Sequence, residues 1–81
     1  MIRVKSCLVP DYWKKGLKAR NSGSFWTDGS KIYSYALCIG ERKGDKLVVY
    51  DYMASGKFIS KTTSKHVSYA LGVADIVEKP Y

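Results

Sequence analysis

This 81-residue chain contains several short segments in which apolar residues either alternate with polar ones or follow one another directly. Both patterns are typical of β-strands. The strongest segment, Ile32–Ile39, is apolar on both of its faces, which predicts a central strand of a sheet. One face of this predicted strand carries Tyr33, Tyr35, Leu37 and Ile39. A second segment, Leu47–Tyr52, predicts a neighbouring strand, joined to the first as an antiparallel hairpin by a charged turn at residues 40–46.

Three further segments complete the predicted sheet. Ile2–Val9 alternates weakly, and Pro10 marks its end because proline lacks the N–H that a strand interior requires. Phe25–Thr27 leads into Asp28-Gly29, a dipeptide favoured in tight hairpin turns because Gly readily adopts positive φ. The segment Lys57–Ser60 is interpreted as a short final strand.

After Ser64 the apolar residues recur at helical spacing, which predicts an amphipathic helix of about three turns ended by Pro80. The apolar positions of this helix are Val67, Leu71 and Ala74. Gly72 weakens the helix by about 1 kcal/mol relative to alanine. The sequence therefore predicts an α+β fold in a single domain, residues 1–81. Its small antiparallel sheet has four to five strands in a meander and is covered by one C-terminal helix.

The charge of the chain is +7, and the excess of basic residues is concentrated in two segments. Residues 1–20 carry +5 and residues 57–81 carry +2, whereas the middle of the chain is balanced. A basic surface attracts nucleic acid, an anionic membrane or an acidic protein, although a modest lysine excess also serves solubility alone.

Several classes of protein are disfavoured by the sequence. No apolar run reaches the roughly 18–20 residues that cross a membrane, and no apolar signal segment begins the chain. Cys7 and Cys38 do not form a disulfide framework, so we expect an intracellular, cytoplasmic protein with reduced thiols. With one histidine and no closely spaced cysteines, a zinc site is not expected, and we predict no metal or cofactor.

The segment from Lys57 to His66 contains the densest group of candidate binding residues and no acid. Its cationic or titratable members are Lys57, Lys61, Lys65 and His66, and its hydroxyls are Thr62, Thr63 and Ser64. Because a helix N-terminus exposes unpaired N–H groups and the positive end of the helix dipole, this segment is a candidate anion site. The alternative is that Thr63 or Ser64 caps the helix and the lysines are solvated surface.

Aromatic residues are numerous for so small a core, at 14% of the chain. Trp26, Tyr33 and Tyr35 are candidates for stacking on the bases of a single-stranded nucleic acid. Cross-strand packing is the more common role of tyrosine in strands, and an exposed aromatic patch also marks protein interfaces. For catalysis, His66 has no acidic partner nearby in sequence, so we predict that the protein is not an enzyme.

Four motifs together resemble a family of small proteins and domains of bacteriophages and archaeal viruses. They are Ala19-Arg20-Asn21-Ser22-Gly23, Trp26-Thr27-Asp28-Gly29, Ile32-Tyr33-Ser34-Tyr35 and Thr62-Thr63-Ser64-Lys65-His66. The resemblance covers roughly residues 19–74 and implies a viral origin, in the cytoplasm of a host cell. It carries no defined activity, although small viral proteins of this kind often act by binding nucleic acid or a host protein.

These observations lead to one hypothesis and one alternative. The hypothesis is a small, basic, non-enzymatic viral protein that contacts a nucleic-acid backbone, with DNA and RNA both open. The alternative is an inhibitor of a host or anti-phage defence complex that binds an acidic protein or ribonucleoprotein surface. The predicted contact residues are Lys14, Lys15, Lys18, Arg20, Trp26, Tyr33, Tyr35, Lys57, Lys61, Thr62, Thr63, Ser64, Lys65 and His66.

Overall fold

The computed structural model of the protein describes residues 2–21, 24–52 and 61–79. Its strands are β1 Ile2–Arg3, β2 Ala19–Asn21, β3 Phe25–Thr27, β4 Lys31–Ser34, β5 Leu37–Lys43, β6 Lys46–Tyr50 and β7 Ile76–Glu78. Its α-helices are α1 Val9–Lys14 and α2 Lys61–Leu71, and a 3-10 turn at Ser6–Leu8 leads into α1.

The strands form one seven-stranded sheet in which they lie side by side in chain order, β1 to β7. The predicted α+β class is confirmed, but the sheet has more strands than expected and is mixed. β2 to β6 form an antiparallel meander, whereas β1 pairs with β2, and β6 with β7, in parallel. Parallel neighbours need a crossover connection, and each of these two crossovers contains a helix.

Both helices lie on the same face of the sheet and share one hydrophobic core. The buried residues of that core are Val9 and Trp13 from α1, Val67 and Ala70 from α2, and Phe25, Ile32, Ile39, Leu47 and Val49 from the strands. Because side chains alternate across a strand, the residues between these strand positions point to the opposite face. We call this opposite face, on which the two core helices do not pack, the open face, although Val48 of β6 is buried on it.

The predicted strand Ile32–Ile39 is wrong, because the chain turns back at Tyr35 and Ala36. Ser34 pairs with Leu37, so β4 and β5 form a tight antiparallel hairpin where one continuous strand was expected. The apolar run misled because it contains no Gly, Pro or Asn at the turn, and because both arms of the hairpin bury apolar residues.

The predicted C-terminal helix forms with about the expected three turns, but it is displaced toward the N-terminus. α2 begins at Lys61 and ends at Leu71, where the backbone N–H of Gly72 donates to the carbonyl of Tyr69 at 3.2 Å in a tighter turn. Residues 76–78, which the helical spacing included, form β7. Asp75 fixes this strand at the sheet edge, because its carboxylate Oδ2 accepts from the backbone N–H of Leu47 at 2.9 Å.

The N-terminal segment also differs from expectation. Only Ile2–Arg3 of the predicted strand Ile2–Val9 forms a strand, and Pro10 lies in the first turn of α1. Proline is tolerated there because the first N–H groups of a helix have no intrahelical acceptor. The predicted strand Lys57–Ser60 lies outside the described residues.

Two predicted hairpins are confirmed. At the Asp28-Gly29 turn, Gly29 has φ 97°, and the carboxylate of Asp28 accepts from the backbone N–H groups of Ser30 and Lys31 at 2.9 and 2.8 Å. The β5–β6 hairpin forms as well, although its turn is reduced to residues 44–45 because β5 extends to Lys43. In the described part of the chain, neither helix has the length and apolar content needed to cross a membrane.

Candidate nucleic-acid interface

An open cleft of about 340 Å³ lies between the N-terminal half of α2 and the connection from β2 to β3. Its lining residues are Ser6, Asn21, Ser24, Lys61, Thr62, Lys65, His66 and Tyr69. None of them is acidic, and most carry a hydrogen-bond donor. The composition of the cleft therefore suits an anionic ligand.

The helical repeat brings the two lysines of α2 to the cleft. Lys61, Lys65 and Tyr69 are spaced by four residues, so they lie one above another on one face of α2. Both lysines are exposed, and neither forms an ion pair with any described residue. Because like charges at this spacing repel each other, an anion bound between them relieves an unfavourable interaction.

His66 forms the floor of the cleft and is held from two sides. Its ring is only 4% exposed and is stacked on Phe25, with ring centroids 4.2 Å apart and planes 6° apart. Its Nδ1 lies 2.8 Å from the Ser34 hydroxyl, which in turn donates to the Thr63 hydroxyl at 3.1 Å. Burial, and to a smaller extent the charge of Lys65, lowers the pKa of His66 below the ordinary histidine value.

The second ring nitrogen of His66, Nε2, has no hydrogen-bond partner among the described residues. Among the described residues, no buried side-chain nitrogen or oxygen lacks a hydrogen-bond partner. Since the described partner of His66 is Ser34 on Nδ1, we infer that Nε2 reaches the solvent of the cleft. The Ser34 hydroxyl is only 1% exposed, so this Ser–His contact suits the positioning of the ring better than attack on a substrate.

A second group of basic and aromatic residues forms a row across the open face. Strand register pairs Arg3 with Arg20, Arg20 with Trp26, and Trp26 with Tyr33. Directly paired residues point to the same face of a sheet, so these four side chains lie side by side. Both arginines are exposed, and neither has an ion-pair partner in the described part of the chain. We call this group the arginine–aromatic row.

The aromatic members of this row form an ordered pair. The rings of Trp26 and Tyr33 stack with centroids 4.1 Å apart and planes 11° apart. The indole N–H of Trp26 donates to the carbonyl of Tyr35 at 3.0 Å, which fixes the orientation of the ring. Tyr33 therefore packs across strands, as tyrosine commonly does, and its partner is Trp26 on the open face.

Tyr35 connects the row to the cleft. Its side chain is 53% exposed, its carbonyl accepts the hydrogen bond from the Trp26 indole, and its ring centroid lies 6.3 Å from that of His66. The cleft and the arginine–aromatic row consequently meet at the turn between β4 and β5.

Three of the predicted contact lysines lie at the opposite end of the sheet. Lys14, Lys15 and Lys18 are exposed near the C-terminal end of α1. That end of α1 adjoins the β3–β4 turn, because the indole N–H of Trp13 donates to the carbonyl of Ser30 at 2.9 Å. Tyr35 lies at the other end of β4, so these lysines do not line the cleft.

The predicted hydroxyls have different environments. Thr62 is exposed and lines the cleft, Ser64 is partly buried, and Thr63 is buried and bonded to Ser34. The alternative in which Thr63 or Ser64 caps the helix is wrong, because α2 already begins at Lys61. Lys57 lies outside the described residues.

Sequence inspection did not identify Arg3, Ser6, Asn21 or Ser24 as site residues. Arg3 reaches the row only through the parallel pairing of β1 with β2, and Asn21 reaches the cleft only through its place at the end of β2. The excess of positive charge in residues 1–20 was the one signal that pointed toward Arg3.

The described residues contain no group of three histidine, cysteine or acidic side chains that could hold a metal ion. Cys7 is exposed, whereas Cys38 is partly buried, and burial raises the pKa of its thiol. No protein-family model matches the chain, and neither a curated protein nor a solved structure matches it. The resemblance to viral proteins therefore stays a prediction.

Proposed function

We propose that this protein is a non-enzymatic module that binds the phosphate backbone of a nucleic acid. The observation that carries the proposal is the cleft, where Lys61 and Lys65 stand beside neutral donors with no acid among the described lining residues. Its cationic surface continues past Tyr35 to the exposed Arg20 and Arg3, so several phosphates along one strand meet positive charge.

The mixture of side chains favours nucleic acid over other anionic partners. Positive charge attracts an acidic protein or an anionic membrane as well, and aromatic residues also occur at protein interfaces. Grooves for single-stranded nucleic acid characteristically place aromatic rings beside lysine or arginine, and here the exposed Tyr35 and the partly buried Trp26 lie next to the cleft and to Arg20. The viral origin that the motifs imply is part of this proposal and agrees with a role in which binding is the activity.

The salt dependence of binding tests the proposal. For each phosphate that a lysine neutralises, the plot of log affinity against log salt should steepen by roughly 0.7–0.9. We expect the double variant Lys61→Ala/Lys65→Ala to bind DNA or RNA more weakly and to lose about one unit of slope per lysine. Fluorescence anisotropy with labelled oligonucleotides over a series of salt concentrations provides the measurement.

A matched control separates local contact from total charge. Lys43→Ala/Lys46→Ala removes the same charge at the exposed β5–β6 hairpin, away from the cleft, and should leave the slope nearly unchanged. An equal loss of slope in both double variants would mean that binding depends on the net charge of the protein and not on contacts in the cleft. Failure to retain any nucleic acid at low salt would overturn the proposal and favour an acidic protein as the partner.

A further inference from the structure

We propose that the ligand is a single strand, whose unpaired bases stack on Trp26, Tyr33 and Tyr35 while its phosphates enter the cleft beside Lys61 and Lys65. This inference rests on the proposed function and adds to it the class of nucleic acid and the residues that hold the bases.

The first support is the orientation of the stacked pair on the open face. Trp26 and Tyr33 are partly buried and lie outside the hydrophobic core, and each has one ring face inside the pair and one outside it. Trp26 adjoins Arg20, whose guanidinium can stack on a base or bind a phosphate. The hydrogen bond from the Trp26 indole to the carbonyl of Tyr35 fixes the orientation of the Trp26 ring before a ligand binds, so little side-chain conformational entropy is lost when a base stacks on it.

The second support is the position of Tyr35 between the two charged regions. Bases and phosphates alternate along a strand, so a ligand that reaches from the cleft to the arginine–aromatic row must pass an aromatic ring between them. The ring of Tyr35 is exposed and lies 6.3 Å from the His66 ring. A base on Tyr35 therefore brings its own phosphate toward the side of the cleft where His66 lies.

The third support is the backbone at Tyr35. Among the described residues other than glycine, only Tyr35 has a positive φ, at 57°. It occupies the first position of a two-residue hairpin loop, where glycine is strongly preferred when φ is positive. An exposed tyrosine in this position lowers stability without filling the core, and residues held in such conformations are concentrated at binding sites.

A duplex does not fit this arrangement. The ring faces of its bases are already stacked inside the double helix, so flat side chains on a sheet reach only unpaired bases. Stacking on aromatic side chains also tolerates any base sequence, so we expect weak sequence preference.

The decisive experiment compares two substitutions within the same two-residue loop. Tyr35→Gly removes the ring and relieves the positive φ, so the melting temperature should not fall, while affinity for a labelled oligo-thymidylate strand drops by about fivefold or more. Ala36→Gly is the control: it adds backbone freedom without removing a ring, so the melting temperature should fall and the affinity should stay. Trp26→Ala should weaken single-strand binding by a similar factor.

Each outcome of this comparison decides something. The proposal predicts tighter binding of the single strand than of a duplex of equal length at the same salt concentration. Preference for the duplex, or unchanged single-strand affinity in Tyr35→Gly and Trp26→Ala, would overturn this inference and leave the proposed function standing. If no nucleic acid binds at low salt, the proposed function itself fails.

Discussion

At the scale of single residues, His66 joins the core of this protein to its candidate site. One side of its ring packs on Phe25 and one nitrogen contacts Ser34, so the residue is a structural part of the interior. Lys65 and the cleft adjoin the same ring. The protonation of His66 therefore affects both stability and binding.

The lowered pKa of His66 predicts the direction in which stability changes with pH. In the unfolded chain the imidazole takes up a proton near pH ~6.5, whereas in the folded protein burial delays that step to lower pH. Between these two values the unfolded state holds more protons, so the free energy of unfolding falls as the pH falls. Above pH ~6.5 this contribution is fully retained.

We expect wild-type protein to lose more stability than His66→Gln on acidification from about pH 7 to about pH 5. Glutamine can still bond to the Ser34 hydroxyl but does not titrate, so it serves as the matched control. Urea unfolding midpoints across this range measure the difference. Parallel pH profiles for the two proteins would contradict the account of His66.

The pH dependence of binding has the opposite sign from that of stability. A phosphate near Nε2 favours the charged imidazole, so affinity should rise on acidification. An unperturbed histidine would give this rise near pH ~6.5. Because burial lowers the pKa of His66, we now expect the rise at lower pH.

At the scale of secondary-structure elements, the two tryptophans illustrate what sequence could and could not predict. Trp13 in α1 is fully buried in the core, whereas Trp26 in β3 lies on the open face. Nothing in their local sequence distinguishes them, because burial depends on which side of the sheet each element occupies.

Trp13→Ala should lower the free energy of unfolding by about 3–5 kcal/mol, since it removes a fully buried indole and its hydrogen bond to Ser30. Trp26→Ala should cost clearly less, because its ring packs mainly on Tyr33 at the surface. Chemical denaturation of both variants provides the comparison. Similar losses would mean that the open face is covered as well as the core.

Local turn chemistry was predictable, whereas non-local pairing was not. The Asp28-Gly29 turn follows from the conformational freedom of Gly29, so sequence identified it correctly. The turn at Tyr35 carries no such signal. The last strand, β7, was not predicted because Ile76 and Val77 continue the helical spacing; in the structure both are exposed at the sheet edge. The parallel pairings of β1 and β7 depend on crossovers that no local pattern encodes.

The candidate site shows the same division. Lys61, Thr62, Lys65 and His66 were found together because they are contiguous in sequence and stay together on one helix. Arg3 and Asn21 were missed because only strand pairing brings them to the site. Lys14, Lys15 and Lys18 were predicted to belong to the same contact surface, but they adjoin the other end of the sheet.

At the scale of the whole molecule, whose longest extent is 33 Å, basic residues lie at both ends of the sheet. Lys61 and Lys65 lie at one end with Tyr35, and the exposed lysines after α1 lie at the other. A ligand that is long enough to cross the open face can contact both ends, with Arg20 between them. Short oligonucleotides should therefore occupy the cleft and the row first.

NMR titration with a short oligo-thymidylate strand tests whether one continuous surface, from the cleft to the arginine–aromatic row, binds a nucleic acid. The account predicts that the Trp26 indole signal and the amide signals of Tyr35, Lys65 and His66 shift on binding, while the buried Trp13 indole signal does not. Signal shifts only in the residues after α1, or no shifts at either end of the sheet, would contradict binding at this surface.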